Sequence, residues 1–209
     1  MPENNAMMEA QKYHAFYETP LGEKILKKEA DIVEEYLTGC GRIMDLGCGP
    51  GVFEKELSHL NIIGIDSSRE MITLAEKNTE ADFRLSTASN LPFPDDYFDG
   101  AFTISTLAFI GDVEKALEEL KRVLTPESKA LFMLCNTNSN YFKEKLDKPG
   151  YTSRNIKHLS LEAVIDSVKH GFHVKEEAYM LGISKNEVYE TNDQAKAALY
   201  VMKTGGEVQ

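Results

Sequence analysis

Between Arg42 and Gly51 the chain reads Arg-Ile-Met-Asp-Leu-Gly-Cys-Gly-Pro-Gly, and no other stretch limits the possible folds as tightly. Ile43 and Met44 close an apolar run that reads as the end of a buried strand. Asp45 follows, and glycine then takes every second position, at Gly47, Gly49 and Gly51. Glycine has no Cβ, so φ > 0 is open to it and a ligand can come against the backbone. Val52-Phe-Glu-Lys-Glu-Leu-Ser58 continues with helical character. A strand, a glycine turn and a helix start together make a site where backbone N–H groups point at a ligand. A ligand-free turn is the plainer alternative, but each glycine destabilises a regular element by about 0.5–1 kcal/mol relative to alanine.

Two ligand readings compete. A dinucleotide fingerprint needs G-x-G-x-x-G, and its third glycine would fall at Val52. The order present, Asp-x-Gly-x-Gly-x-Gly, resembles the first motif of the class I S-adenosylmethionine-dependent methyltransferases. Downstream, Asn61-Ile-Ile-Gly-Ile-Asp66 reads as a second strand ending in an acid, 66 − 47 = 19 positions after Gly47. In a βαβ unit that places a carboxylate where ribose hydroxyls can be accepted. Both cofactor families use this device, and a helix N-cap is the structural alternative, for which Ser67 and Ser68 serve equally well.

Length and charge narrow the class. The 209 residues suffice for one ordinary domain, and 27% charged with 42% hydrophobic residues reads as soluble and globular. A net charge of −11 with no basic stripe disfavours nucleic acid and anionic membrane surfaces as partners. Cys40, Cys48 and Cys135 are scattered without C-x-x-C or zinc spacing, and no metal is expected. Reduced thiols and an N-terminus without a signal-like start predict a cytoplasmic protein. No run approaches the roughly 18 apolar residues of a membrane span, so no stable membrane insertion is expected.

Residues 1–38 read as an amphipathic helical leader broken at Thr19-Pro20-Leu-Gly22, with Tyr13, Phe16 and Tyr17 on one face. That face is expected to pack on the core or to lie over the ligand edge as a lid. From residue 42 strands and helices alternate, which predicts a parallel, doubly wound sheet. Strands are expected at 42–46, 61–65, 81–86, 97–105 and 129–135, and helices at 52–59, 68–77 and 112–124, with Thr125-Pro126 as a stop. Residues 137–155 are polar, with Tyr141, Phe142 and Leu146 as sparse anchors. A capped helix begins at Ser160, a strand near 171–176, and a last strand spans 197–203, before a tail 204–209 expected to fray.

The resemblance becomes specific further along. Thr87-Ala-Ser-Asn-Leu-Pro-Phe-Pro-Asp-Asp-Tyr-Phe-Asp99 resembles the second and third cofactor-contact blocks of the type 11 methyltransferases, and Ala116-Leu-Glu-Glu-Leu-Lys-Arg-Val-Leu-Thr-Pro126 the helix and turn that follow. Over about residues 40–135 the chain is similar to the ubiquinone/menaquinone-biosynthesis methyltransferase superfamily. The resemblance implies one α/β domain over 1–209 with a doubly wound, Rossmann-like, seven-stranded, mostly parallel sheet, its last strand antiparallel, and helices on both faces. Within it, 1–38 would form a helical lid, 42–135 the cofactor core, and 136–209 the acceptor-side insertion and last strands.

The implied cofactor is S-adenosylmethionine, with S-adenosylhomocysteine as product, and the implied partner a small-molecule methyl acceptor met by a monomer or homodimer. Carried over by position, Gly47, Cys48 and Gly49 pass their backbone along the methionine and ribose portion. Asp45 braces the loop and holds the amino group through water. Asp66 accepts the ribose hydroxyls, Ser67 and Met71 flank the adenine, Thr87 and Ala88 meet its edge, and Ser105 lies near the methionyl group. Two positions depart from the pattern: Thr87 stands where many relatives carry an acid, and Pro126-Glu-Ser128 replaces Pro-Gly-Gly.

No general base is assigned. His14, His158 and Tyr17 are candidates by location only, and His59, His170 and His173 read as structural. Asp95, Asp96 and Asp99 read as a solvated turn, not a metal site. Asn136-Thr-Asn-Ser lacks the Asn/Asp-Pro-Pro-aromatic signature of enzymes that methylate amide or exocyclic amino groups. A nicotinamide-dependent oxidoreductase and a non-catalytic binding module stand as alternatives.

Overall fold

A computed structural model describes residues 2–148 and 150–205. Helices α1 (Pro2–Tyr17) and α2 (Pro20–Leu37) form the leader. The break between them has a local cause. The Thr19 hydroxyl accepts from the Gly22 N–H at 3.1 Å, and Pro20 opens α2 where no intrahelical N–H is needed.

Eight strands follow: β1 (Ile43–Leu46), β2 (Ile62–Asp66), β3 (Asp82–Leu85), β4 (Phe98–Ile104), β5 (Leu124–Cys135), β6 (Val174–Ser184), β7 (Glu187–Tyr189) and β8 (Ala197–Gly205). Their order in the sheet is β3-β2-β1-β4-β5-β8-β6-β7. The first five pair in parallel, and β8 runs antiparallel to both β5 and β6. The strand order turns at β1, which lies between β2 and β4. Ligands of open α/β sheets sit at such a switch point, outside the carboxyl ends of the strands.

The helices are α3 (Val52–Glu56), α4 (Arg69–Asn78), α5 (Val113–Val123), α6 (Asn140–Leu146), α7 (Tyr151–Asn155) and α8 (Leu161–Gly171). Successive strand residues point to opposite faces, and β5 feeds two cores accordingly. Ala130, Phe132 and Leu134 pack with Leu120 of α5 and Val168 of α8. Leu131 and Met133 pack with Val33 and Leu37 of α2 and Phe53 of α3. Serine and aspartate caps set the helix starts: the side chains of Ser68, Asp112 and Ser160 each accept a backbone N–H of the first turn.

The doubly wound class holds, with four local differences from the sequence reading. An eighth strand, β7, forms a short hairpin with β6 at the sheet edge. The polar segment after β5 contains α6 and α7, too short to show a helical period. β8 carries Thr204 and Gly205 in register with β5, so these two do not fray; residues 206–209 lie outside the described residues. Around Pro126 the helix stops at Val123 as expected, but β5 starts at once. Phe98 pairs with Leu124 and Gly100 with Lys129, so residues 125–128 bulge out of the ladder. Proline in a bulge forfeits no ladder hydrogen bond, which accommodates the missing Pro-Gly-Gly turn.

The two blocks of the resemblance at 87–99 and 116–126 are tied by one side chain. Arg122 Nε and Nη2 donate to the Glu119 carboxylate at 2.8 and 2.9 Å, and Nη1 donates to the Phe93 carbonyl at 2.9 Å and to Asp95 at 2.8 Å. Nη2 also reaches the Leu91 carbonyl at 3.2 Å, while the Leu91 N–H donates to Glu119 at 2.9 Å. The guanidinium holds the Glu119 carboxyl down to about 2. Arg122→Ala is expected to lower stability by about 1–3 kcal/mol, roughly 2–4 °C of melting temperature for each kcal/mol. An unchanged melting temperature would mean that the loop is held by other contacts.

Candidate functional site

At the switch point the glycine turn adopts φ of +89° at Gly47 and +73° at Gly51. Packing also demands glycine at both. A Cβ on Gly51 would stand 2.9 Å from the Ala75 Cβ and 3.0 Å from the Phe83 ring, and one on Gly47 would collide with the Thr106 side chain. Gly49 differs: the nearest atom to a Cβ there is Tyr13 Cε1 at 3.8 Å. The N–H groups of this turn are used inside the protein. Gly47 and Cys48 donate to the Ile65 carbonyl at 2.7 and 3.0 Å, and Gly49 donates to Asp66 Oδ2 at 2.9 Å. The expectation that they point at a ligand is therefore corrected. The loop offers a Cβ-free wall at Gly49, clamped to the end of β2.

Asp66 ends β2 and is half-buried. Its Oδ2 takes the Gly49 N–H, and its Oδ1 takes the Ser68 N–H at 2.8 Å. Burial pushes this carboxyl above its ordinary value, and the bonds from Ser68 and Gly49 pull it back. Each oxygen keeps lone-pair capacity for a further donor. Asp66, Ser67 and Met71 line one cleft of about 1510 Å³ together with Thr87, Ala88 and Ser105. Gly47 and Gly49 form its floor at β1, and Tyr13 and Tyr17 of α1 face it from the other side. Ser105, at the end of β4, holds φ of +57°, a costly region for a residue with a Cβ.

Two of the expected cofactor residues turn their side chains inward. Cys48 is buried against Ile72, Ala75 and Phe83. Asp45 is 2% exposed and sits behind the loop beside Glu54, itself 1% exposed. Asp45 Oδ2 and both Glu54 oxygens have no hydrogen bond of ordinary geometry. Burial, then the Glu54 and Asp66 charges, push the Asp45 carboxyl well up, and burial takes Glu54 to about 8. Both carboxyls are thus pushed toward their neutral forms, in which the like-charge repulsion between them is removed.

His14 lies off the cleft wall, 3.9 Å from Glu18. His158 Nε2 is 2.8 Å from the Ile110 carbonyl; because a carbonyl only accepts, that nitrogen carries the proton and is committed to the loop. Tyr17 does face the cleft, its hydroxyl 3.3 Å from that of Tyr13. Asp95 pairs with Arg122, while Asp99 accepts from the Gly41 and Arg42 N–H groups at 2.7 and 2.8 Å. Sequence reasoning missed Glu29, Tyr141, Lys145 and Tyr151, which also line the cleft. Glu29 was legible as the one acid in the stripe Ile25, Glu29, Val33, Leu37 of α2, all buried.

The family described as "Methyltransferase domain" matches residues 44–132. An uncharacterized protein of Methanocaldococcus jannaschii is 30% identical over 164 residues, covering 77% of this chain and 76% of that protein. The demethylmenaquinone methyltransferase of Thermotoga maritima is 31% identical over 111 residues, covering 50% of this chain and 48% of that one. The chain spans less than half the length of named methyltransferases such as this. A Thermotoga maritima structure described as a S-adenosylmethionine-dependent methyltransferase, possible histamine N-methyltransferase, superposes with a TM-score of 0.78 at 23% identity, covering 95% of this chain and 96% of that one.

Residues 44–132 are similar to the methyltransferase domain family, and the fold is the Rossmann-like fold of the S-adenosylmethionine-dependent methyltransferases. The cofactor that this likeness implies is S-adenosylmethionine. The residues present fit that group: a carboxylate with spare acceptor capacity at β2, a Cβ-free wall at Gly49, and the apolar Met71 and Ala88 on one cleft.

The buried acid pair makes stability depend on pH. Between the ordinary glutamate value of 4.5 and about 8 the folded chain binds more protons than the unfolded chain at Glu54. Stability is therefore expected to fall as pH rises through that window. Melting temperatures from pH 5 to 9 check this. Glu54→Gln should flatten part of the slope, and an equal slope in the variant would contradict the assignment.

Proposed function

We propose that this chain transfers a methyl group from S-adenosylmethionine to a small-molecule acceptor by in-line displacement. The observation that carries the reading is continuity: one cleft joins the Asp66–Gly49 corner to a chamber walled by α1, α2 and α6. When bound, the cofactor supplies an electrophilic methyl on a sulfonium. The chain's own part is to bind and to orient. Asp66 accepts the ribose hydroxyls, Gly47 and Gly49 let the chain of the cofactor pass, Ser67 and Met71 flank the adenine, and Thr87 and Ala88 meet its edge. Ser105 presents the methionyl end at β4, next to Tyr13 and Tyr17. Asp45 and Cys48 act from behind, holding the loop. Orientation alone supplies roughly 7–11 kcal/mol toward such a barrier.

In this reading α1 and α2 cap the cofactor core, and the segment from 136 onward shapes the acceptor side. Tyr13 stacks edge-on against Tyr17 and meets Tyr151 of α7, centroids 5.6 Å apart in both cases, which closes the cap over Gly49. A cytoplasmic setting, with monomer or homodimer as the working form, belongs to the same proposal. It draws on the net charge of −11 and on Cys40, Cys48 and Cys135, all free thiols. Among the described residues no helix is long and apolar enough to cross a membrane.

Asp66→Ala removes the proposed acceptor for the ribose together with its bonds from the Gly49 and Ser68 N–H groups. Hydrogen bonds to a charged group contribute about 1.5–3 kcal/mol, so the affinity for S-adenosylhomocysteine is expected to fall about 10–100-fold in a calorimetric titration. Circular dichroism establishes that the variant is folded. Undiminished affinity in a folded variant would remove Asp66 from the cofactor site.

A further inference from the structure

Within the cleft, the wall away from Asp66 holds an acid that the cofactor does not need. Glu29 of α2 is 5% exposed, yet it lines the cleft. Its Oε2 has no hydrogen-bond partner. A carboxyl taken out of water without a donor is costly, so the position calls for a partner that the chain itself does not provide. The groups that face it are Tyr13 and Tyr17 of α1, Tyr141 and Lys145 of α6, and Cys135 of β5. Among the described residues no cation lies within ion-pair distance of Glu29; Lys145 attracts it from farther off.

Lys145 shows what the surrounding rings accept. Its ammonium stands 4.4 Å from the Phe16 centroid and 5.1 Å from that of Tyr141. Aromatic faces attract a desolvated ammonium, and a carboxylate adds charge pairing. We propose that Glu29 is the acceptor-recognition carboxylate of this cleft and that the acceptor is a small primary or secondary amine. This rests on the methyltransferase reading above and adds the acceptor's class. A hydroxyl or phenol acceptor would leave the carboxylate without a cation; an ammonium meets both the acid and the rings.

The same acid balances the chemistry. An ammonium has no lone pair to attack with, so one N–H proton must leave first. Glu29 carboxylate takes it, and the freed nitrogen pair forms the N–C bond while the electrons of the breaking C–S bond stay on sulfur. The methylated product keeps the remaining N–H protons (two for a primary amine, one for a secondary amine) and the positive charge, and Glu29 later returns its proton to water. Burial pushes the Glu29 carboxyl up to about 8, closer to an amine than an ordinary glutamate is. Proton transfer is most effective when the acid and base are so matched.

The test is calorimetric titration of the S-adenosylhomocysteine-saturated protein at pH 7 with 2-phenylethylamine and, side by side, 2-phenylethanol. The amine is expected to bind tighter by about tenfold or more. With burial holding the Glu29 carboxyl up to about 8, amine binding should also release most of a proton, read from titrations in two buffers of different ionisation enthalpy. In Glu29→Gln the preference and the proton release should vanish, with affinity for S-adenosylhomocysteine unchanged. Equal binding of amine and alcohol, no amine binding, or a preference that survives Glu29→Gln would each overturn the proposal. The wild-type comparison stands even if the variant misfolds. A folded protein that binds no S-adenosylhomocysteine would instead overturn the methyltransferase reading on which this rests.

Discussion

Everything at the cofactor edge depends on the clamp between the glycine turn and the end of β2. Three consecutive N–H groups, at Gly47, Cys48 and Gly49, donate to the Ile65 carbonyl and the Asp66 carboxylate. Those bonds hold the turn in its left-handed conformations, which only glycine adopts without strain. They also set where Asp66 stands, because one of its oxygens is tied to Gly49 and the other to Ser68 at the start of α4. A single carboxylate thus joins β1, β2 and α4 and still has capacity to accept from a ligand. The clamp exists because β1 and β2 pair in parallel register, Leu46 opposite Ile65.

Around that corner the chain buries three acids that form no ion pair among the described residues: Asp45 and Glu54 behind the loop, and Glu29 on the cleft wall. Their burial costs stability at alkaline pH, since each must lose a proton in a poorly hydrated place. The two locations differ in what they face. The Asp45–Glu54 pair faces packed protein, so its effect is on the loop. Glu29 faces the cleft, so its effect is on what enters. The folded state retains these groups next to the site proposed for a sulfonium, a cation whose field favours ionised acids.

Much of the architecture was legible in the chain. β1, β2, β4 and β5 announced themselves as apolar runs, and α4 and α5 as apolar stripes behind serine and aspartate caps. Glycine spacing located the turn, and Asp66, singled out at the end of the second strand, is the residue that clamps it. Three things were not legible, each for a physical reason. The use of the turn's N–H groups depends on the Ile65 carbonyl, a partner supplied by strand pairing and not by spacing. α6 and α7 span seven and five residues, too few turns for a periodic stripe. Tyr141 and Lys145 come to the cleft because α6 packs beside β8, with the Lys145 ammonium over the Phe16 ring of α1, a long-range arrangement. Glu29 had a visible sign, an acid within an apolar stripe, but stripe reading attends to the apolar members. His158 was singled out by location, and its nitrogen proved to be tied to Ile110.

The claim that the Gly49–Asp66 corner binds S-adenosylmethionine is tested most directly by thermal melts with S-adenosylmethionine, S-adenosylhomocysteine and NADH side by side. Ligand at 100 times its Kd stabilises by about 2.7 kcal/mol, and at roughly 2–4 °C per kcal/mol this is a rise of about 5–11 °C. The account predicts a rise of that size with the two sulfur nucleosides and none with NADH. A folded protein whose melting temperature moves with neither sulfur nucleoside, or moves with NADH alone, would contradict it.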